Sequence, residues 1–163
     1  MIKLYIIRHA KSSWKDMTLS DFNRPLNKRG KRNAPLMGER LKKRKVSPDL
    51  ILSSPALRAK NTAELIADKV NYSKKIVFNE NIYSSTEMGL HKIIKNTNDK
   101  HKTLFLIGHN SELNMLVEDY VAFNENIVTC GIVEIEFECK KWKDISKKNA
   151  KFISFDYPKK EQK

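Results

Sequence analysis

The sequence has little that would cross a membrane or cross-link the chain. No apolar run approaches the roughly 18 residues needed to span a bilayer. The first apolar run, Ile2–Ile7, is too short for the core of a secretory signal and Arg8 interrupts it, so the cytoplasm is the expected compartment. Only two of 163 residues are cysteines, Cys130 and Cys139. They form neither a CxxC pair nor a ligand group with a nearby histidine, which leaves free, reduced thiols. Internal repeats, low-complexity tracts and Pro/Gly/Ser linkers are missing as well. Residues 1–163 therefore read as one domain, long enough for a sizeable core, with a basic tail over about 158–163.

Acidic residues are also scarce: 19 Asp and Glu stand against 32 Lys and Arg, a net charge of +13. Much of the excess lies in Lys28–Lys45, Lys140–Lys151 and the tail from Lys159 to Lys163. Aromatic residues do not interleave with these runs as they do on a surface that stacks single-stranded bases, so nucleic acid is not the expected partner. The plain reading is a solvated lysine-rich face. The next is an electrostatic funnel towards anionic substrates.

What is present is a series of short, continuous apolar runs alternating with helical patterns. Ile2–Ile7 and Thr103–Ile107 read as buried strands, Asp49–Leu52 as a short apolar strand and Ile76–Phe78 as another short strand. Between them, Asn27 offers a cap to a helix over about Lys28–Arg44, despite Gly30 and Pro35. Further helices are expected over Ala56–Val70, from Thr86 to about Asn96, and over Ser111–Ala122. Ile132–Phe137 (IVEIEF) alternates apolar and acidic residues and should wet one face, and Phe152–Phe155 is a candidate to close the sheet. The fold class is α/β, a three-layer sandwich with a largely parallel central sheet.

Three strand ends carry the chemistry. The first runs into Arg8-His9, the second into Ser53-Ser54-Pro55 with Arg58 at the next helix start, and the fourth into Gly108-His109-Asn110. In an open parallel sheet the ligand crevice lies beyond the carboxyl ends of the strands, so two histidines and two arginines can converge there. Helix N-termini beside Arg58 and His109 add N–H donors. The predicted site is cationic, rich in donors and free of Asp or Glu, which suits a phosphoryl group. His91 and His101 sit in polar, lysine-bearing stretches and read as surface residues. No Asp/Glu/His cluster shows metal-ligand spacing, so no metal or other cofactor is expected.

The stretches LYIIRHAKSSW, RPLNKRG, SSPALRAKNTAE and LIGHNSEL resemble the histidine phosphatase superfamily, the phosphoglycerate mutase-like fold, over about Ile2–Ile135. RHAKSSW and RPLNKRG resemble its SixA-type phosphohistidine phosphatase branch. The resemblance implies that His9 is a nucleophile forming a covalent phosphohistidine, with a neutral ring held in one tautomer by a backbone carbonyl. It implies that Arg8, Arg58 and His109 bind the phosphoryl oxygens, without a metal. Glu80, in VFNENIYS, is the candidate general acid, with a surface glutamate as the competing reading; Glu112 is a weaker candidate. Ser12 is a candidate extra phosphate contact, and Asn110 is better read as a helix cap. Arg24 either reaches the cleft rim or pairs with an acid such as Asp21, while Leu26 reads as core. Many relatives have glycine where this chain has Ala10, and Lys11, Ser12 and Ser13 replace the Glu or Gln often seen nearby.

The expected function is hydrolysis of a phosphorylated substrate, with a phosphohistidine-bearing protein as the leading partner. A small-molecule phosphomonoesterase is the enzymatic alternative, and a non-catalytic phosphate or nucleic-acid binder is the alternative from another class. Mutase activity is disfavoured, because this length leaves little chain for a lid over the substrate.

Overall fold

The computed structural model describes residues 1–162. Six strands form one sheet: β1 (Ile2–Arg8), β2 (Leu50–Ser53), β3 (Val77–Phe78), β4 (Thr103–Gly108), β5 (Ile132–Phe137) and β6 (Ala150–Asp156). Five helices connect them: α1 (Lys28–Lys43), α2 (Leu57–Lys69), α3 (Glu80–Tyr83), α4 (Glu87–Lys95) and α5 (Glu112–Tyr120). The strand order is β3-β2-β4-β1-β5-β6. The first four strands run parallel, whereas β5 and β6 pair antiparallel, so the sheet is mixed.

The central strands are apolar on both sides because both faces are covered. From β1, Ile2, Leu4 and Ile6 join Leu113, Leu116 and Val117 of α5 and Leu90 and Ile94 of α4 in one core. Tyr5 and Ile7 point the other way, among Ala34, Met37 and Leu41 of α1 and Ala59, Ala63 and Ile66 of α2. The expected caps are in place: Asn27 accepts from the Gly30 N–H at 2.8 Å and Thr86 accepts from the Gly89 N–H at 3.0 Å. Among the described residues, no helix is long and apolar enough to cross a membrane.

IVEIEF departs from expectation. Its alternation predicts a wetted face, yet Glu134 is only 4% exposed. Arg44, just past the end of α1, reaches across and meets its carboxylate at 2.6 Å. A cation delivered from a distant helix makes that burial tolerable, and strand periodicity cannot report it.

Register positions the functional end of the sheet. Arg8 is level with Gly108 across β1 and β4, and Ser53 is level with Ile107 across β2 and β4. The three strands therefore stop side by side, and the residues just beyond their ends meet at one edge. Gly30 lets α1 close on this edge: a Cβ there would lie 2.2 Å from the Lys11 carbonyl oxygen.

Candidate active site

His9 comes directly after β1 and is 8% exposed. Its backbone N–H donates to the Gly108 carbonyl at 3.1 Å, and its own carbonyl accepts from the Cys130 N–H at 3.0 Å. Its Nδ1 lies 2.8 Å from the Ala10 carbonyl oxygen. A carbonyl only accepts, so Nδ1 carries the proton and Nε2 keeps a free lone pair. Ala10 is held in turn by its N–H donating to Thr62 Oγ1 at 2.9 Å. Burial above all, then the charges of His109, Arg58 and Arg8, push His9 down to about 3, against the Ala10 hydrogen bond.

His109 comes directly after β4, its ring centroid 5.1 Å from that of His9. Its Nε2 lies 2.8 Å from Ser54 Oγ, which also accepts from the Ala56 N–H at 3.2 Å. The Ser54 hydroxyl hydrogen has no other acceptor among the described residues, so we assign it to Nε2 and the ring proton to Nδ1. Burial first and Arg58 second push His109 down to about 4. Both rings are neutral near pH 7.

The two arginines are anchored by their outer nitrogens. Arg8 Nη1 donates to the Ile127 carbonyl at 2.9 Å. Arg58, in the first turn of α2, donates from Nη1 to the Asp21 carbonyl at 2.8 Å and from Nη2 to Asp21 Oδ2 at 3.1 Å. Three buried side-chain polar atoms lack a hydrogen-bond partner among the described residues: Arg8 Nε, Arg58 Nε and His109 Nδ1. All three belong to this cluster. A buried donor without an acceptor costs about 1–3 kcal/mol, so donors concentrated in one place suit an anion with several oxygens.

Asp21 corrects the expectation of a site free of acids. Besides both Arg58 contacts, its Oδ1 meets Arg24 at 3.3 Å and its Oδ2 accepts from the Tyr83 hydroxyl at 2.8 Å. Partial burial raises its pKa, but the Tyr83 hydroxyl and the two guanidiniums outweigh this and hold it below the ordinary carboxylate value. Arg24 is buried rather than on a rim. It donates to Ser12 Oγ at 2.9 Å and lies 3.5 Å over the Trp14 ring, so Ser12 is engaged with Arg24. Asn110 does the capping work, accepting from the Asn114 N–H at 3.0 Å while donating to the Ile127 carbonyl at 3.1 Å.

Glu80 begins α3 and is exposed, with no hydrogen bond or ion pair to the four central residues among the described ones. Glu112 is half-buried in the first turn of α5. What α3 delivers to the cluster is Tyr83, whose ring packs edge-on to His109 with centroids 5.6 Å apart. Sequence reasoning misses Asp21, Ser54 and Tyr83 as site residues. Each lies within or beside a motif read for another residue: SDFNRPL, SSPALRA and VFNENIYS. His91 is also corrected: it is half-buried, with Nδ1 2.7 Å from the Tyr120 hydroxyl and Nε2 2.8 Å from Asp119. His91, Asp119 and Glu87 make a group whose ligand-type atoms lie within 4.8 Å of one another, which linear spacing does not show.

Residues 4–130 match the family model of the Histidine phosphatase superfamily (branch 1). The chain belongs to this superfamily. It is a phosphatase, and its mixed sheet is the phosphoglycerate mutase-like fold. It is similar to the structure of the protein histidine phosphatase SixA complexed with tungstate, with a TM-score of 0.82 at 22% identity, covering 96% of this chain and 97% of that one. The structure of a SixA-type protein from Agrobacterium tumefaciens gives a TM-score of 0.83 at 24% identity, covering 96% and 98%. At such identities the likeness is one of fold. Among sequences, an uncharacterized chloroplastic protein of Arabidopsis thaliana is 28% identical over 151 residues, 87% of this chain and 69% of that protein. Phosphoglycerate mutase 1 of Saccharomyces cerevisiae is 34% identical over 73 residues, which span 44% of this chain and 30% of the yeast protein.

Proposed function

We propose that this phosphatase hydrolyses phosphohistidine without a metal, through a covalent phosphohistidine at His9. The observation that carries the reading is the state of His9: Nδ1–H is committed to Ala10, so Nε2 keeps its lone pair among the three unpartnered atoms of Arg8, Arg58 and His109. In the first step Nε2 attacks phosphorus, the bond from phosphorus to the substrate nitrogen breaks, and that nitrogen leaves with a proton. In the second, water attacks phosphorus, the phosphorus–Nε2 bond breaks, and inorganic phosphate departs as the water loses its proton to solvent. Arg8 Nε, Arg58 Nε and His109 Nδ1 donate to the nonbridging oxygens, where charge spreads in the transition state. Asp21 and Tyr83 hold Arg58 for that task, and Ser12 acts through Arg24. The tungstate complexed by the SixA relative is a tetrahedral oxyanion, the shape this reading asks the cluster to hold.

Substrate class turns on the leaving group. A phosphohistidine nitrogen is basic enough to be protonated beforehand, so it needs little help from an acid, and the exposed Glu80 suits that modest demand. An ester oxygen needs an acid in place, and Glu80 is the candidate for that alternative. The deciding experiment measures phosphate release, with EDTA present, from a histidine-phosphorylated protein and from p-nitrophenyl phosphate. On this reading the protein is cleaved, His9→Ala is inactive and Glu80→Gln is nearly unaffected. Cleavage of the ester alone, crippled by Glu80→Gln, would replace it with a metabolite phosphatase.

A further inference from the structure

The Ser13–Ser20 loop carries three large apolar side chains exposed to solvent. Trp14 is 68% exposed, Met17 90% and Leu19 38%, whereas Leu26, a few residues on, is buried. The loop is not slack. The Ser13 N–H donates to the Pro25 carbonyl at 2.8 Å, and Asp16 Oδ1 accepts from both the N–H and the hydroxyl of Thr18 at 3.0 and 2.6 Å. Both of its ends are rooted in the active site. Ser12, just before it, accepts from Arg24; Asp21, just after it, holds Arg58 and Tyr83. Arg24 also stacks on Trp14, which holds one face of that indole and leaves the rest to solvent.

The charge on and beside this loop is predominantly positive. The Asn27 N–H donates to the Lys11 carbonyl at 3.0 Å, which seats the start of α1 against the loop's base. Lys15 on the loop and Lys28, Arg29, Lys31 and Arg32 in the first turns of α1 are all exposed. The two acids of the stretch are already engaged, Asp16 by Thr18 and Asp21 by the arginines. The RPLNKRG motif thus brings the basic start of α1 to the base of a loop with an exposed apolar tip. Small phosphorylated molecules have no use for it; a macromolecule presenting an apolar patch among carboxylates does.

We infer that the Trp14–Met17–Leu19 tip and the basic start of α1 form a docking surface for an acidic protein substrate, which they hold while its phosphoryl group enters the cradle. This inference rests on the phosphohistidine reading and names the partner's chemistry. Aromatic and methionine anchors supply the contact, and the cations supply encounter rate and selectivity.

The test uses an acidic and a basic protein of similar size, each phosphorylated on histidine with phosphoramidate, and phosphoramidate itself as the small substrate. Wild type, Met17→Ser and the double variant Lys28→Glu/Arg29→Glu are compared. The expected result is that wild type prefers the acidic protein by about tenfold in kcat/KM, through KM, and that the preference shrinks as salt rises. Met17→Ser and the double variant each lose most of it while cleaving phosphoramidate at the wild-type rate. Equal losses on all three substrates would overturn the inference, because the segment would then be holding the site together. Unchanged kinetics in both variants would overturn it too, since the surface would be idle. If wild type cleaves neither protein nor phosphoramidate, the phosphohistidine reading falls and takes the docking surface with it.

Discussion

Two histidines of this protein stand in nearly the same company and end up doing opposite things. His91 lies against Tyr120 and Asp119; His109 lies beside Tyr83, which is bonded to Asp21. Around His91 the protein closes every valence, with Nδ1 on the tyrosine hydroxyl and Nε2 on the carboxylate, and the ring pins α4 to α5. Around His109 the tyrosine donates to the aspartate and the aspartate accepts from Arg58, Ser54 takes Nε2, and Nδ1 is left over. His9 repeats the pattern, with one nitrogen on Ala10 and the other free. A histidine with both nitrogens satisfied internally is a fastener. One that keeps a buried nitrogen in reserve is set for a ligand.

The comparison can be broken most severely at the reserved nitrogens. His109→Asn retains polarity but moves the donor, and should lower kcat/KM by about 10²–10³, read by phosphate release, with the fold intact by circular dichroism. Asp21→Asn is smaller. Arg58 and Tyr83 lose their anchor, so kcat should fall by about tenfold, while removal of a negative charge leaves inhibitory inorganic phosphate binding at least as tightly. A parallel loss in both readouts would mean that Asp21 contacts substrate itself.

The pH dependence sharpens the same contrast. His9 and His109 are pushed down to about 3 and 4 in the folded chain, against an ordinary value of 6.5. Below 6.5 the unfolded chain binds protons that the fold refuses, so stability is whole above 6.5 and drains as pH falls towards 4 and then 3. His9→Gln should flatten this acid limb by about 1 kcal/mol or more in urea titrations at pH 4.5. On the proposed mechanism the attacking His9 must be neutral, so the acid limb of kcat/KM should lie well below pH 6.5. The smallest effect belongs to the fastener: His91→Gln should cost about 1–2 kcal/mol of stability and leave kcat/KM unchanged. A loss of activity there would erase the distinction drawn between the two histidines.

Much of the scaffold is open to reading from local pattern. Ile2–Ile7 and Thr103–Ile107 are largely apolar because a central strand is covered on both faces, and that leaves its mark in any short window. Asn27 and Thr86 announce helix starts because capping is a bond between near neighbours. Other features have no such mark. The alternation of IVEIEF is that of a wetted strand; only Arg44, arriving from the end of α1, makes Glu134 a buried residue. His91 sits among lysines in the chain and between two helices in space.

The sequence by itself determined that three strands end in Arg8-His9, Ser53-Ser54 with Arg58 close behind, and Gly108-His109, because strand content and strand termini are written in contiguous residues. Only the tertiary structure decided that Asp21 threads into the cationic cluster, that Glu80 stays outside while Tyr83 goes in, and that Arg8, Arg58 and His109 each keep one buried nitrogen unpaired. Those outcomes depend on which donors and acceptors remain after every neighbour within hydrogen-bonding reach has been paired. That remainder exists only once distant segments have packed together.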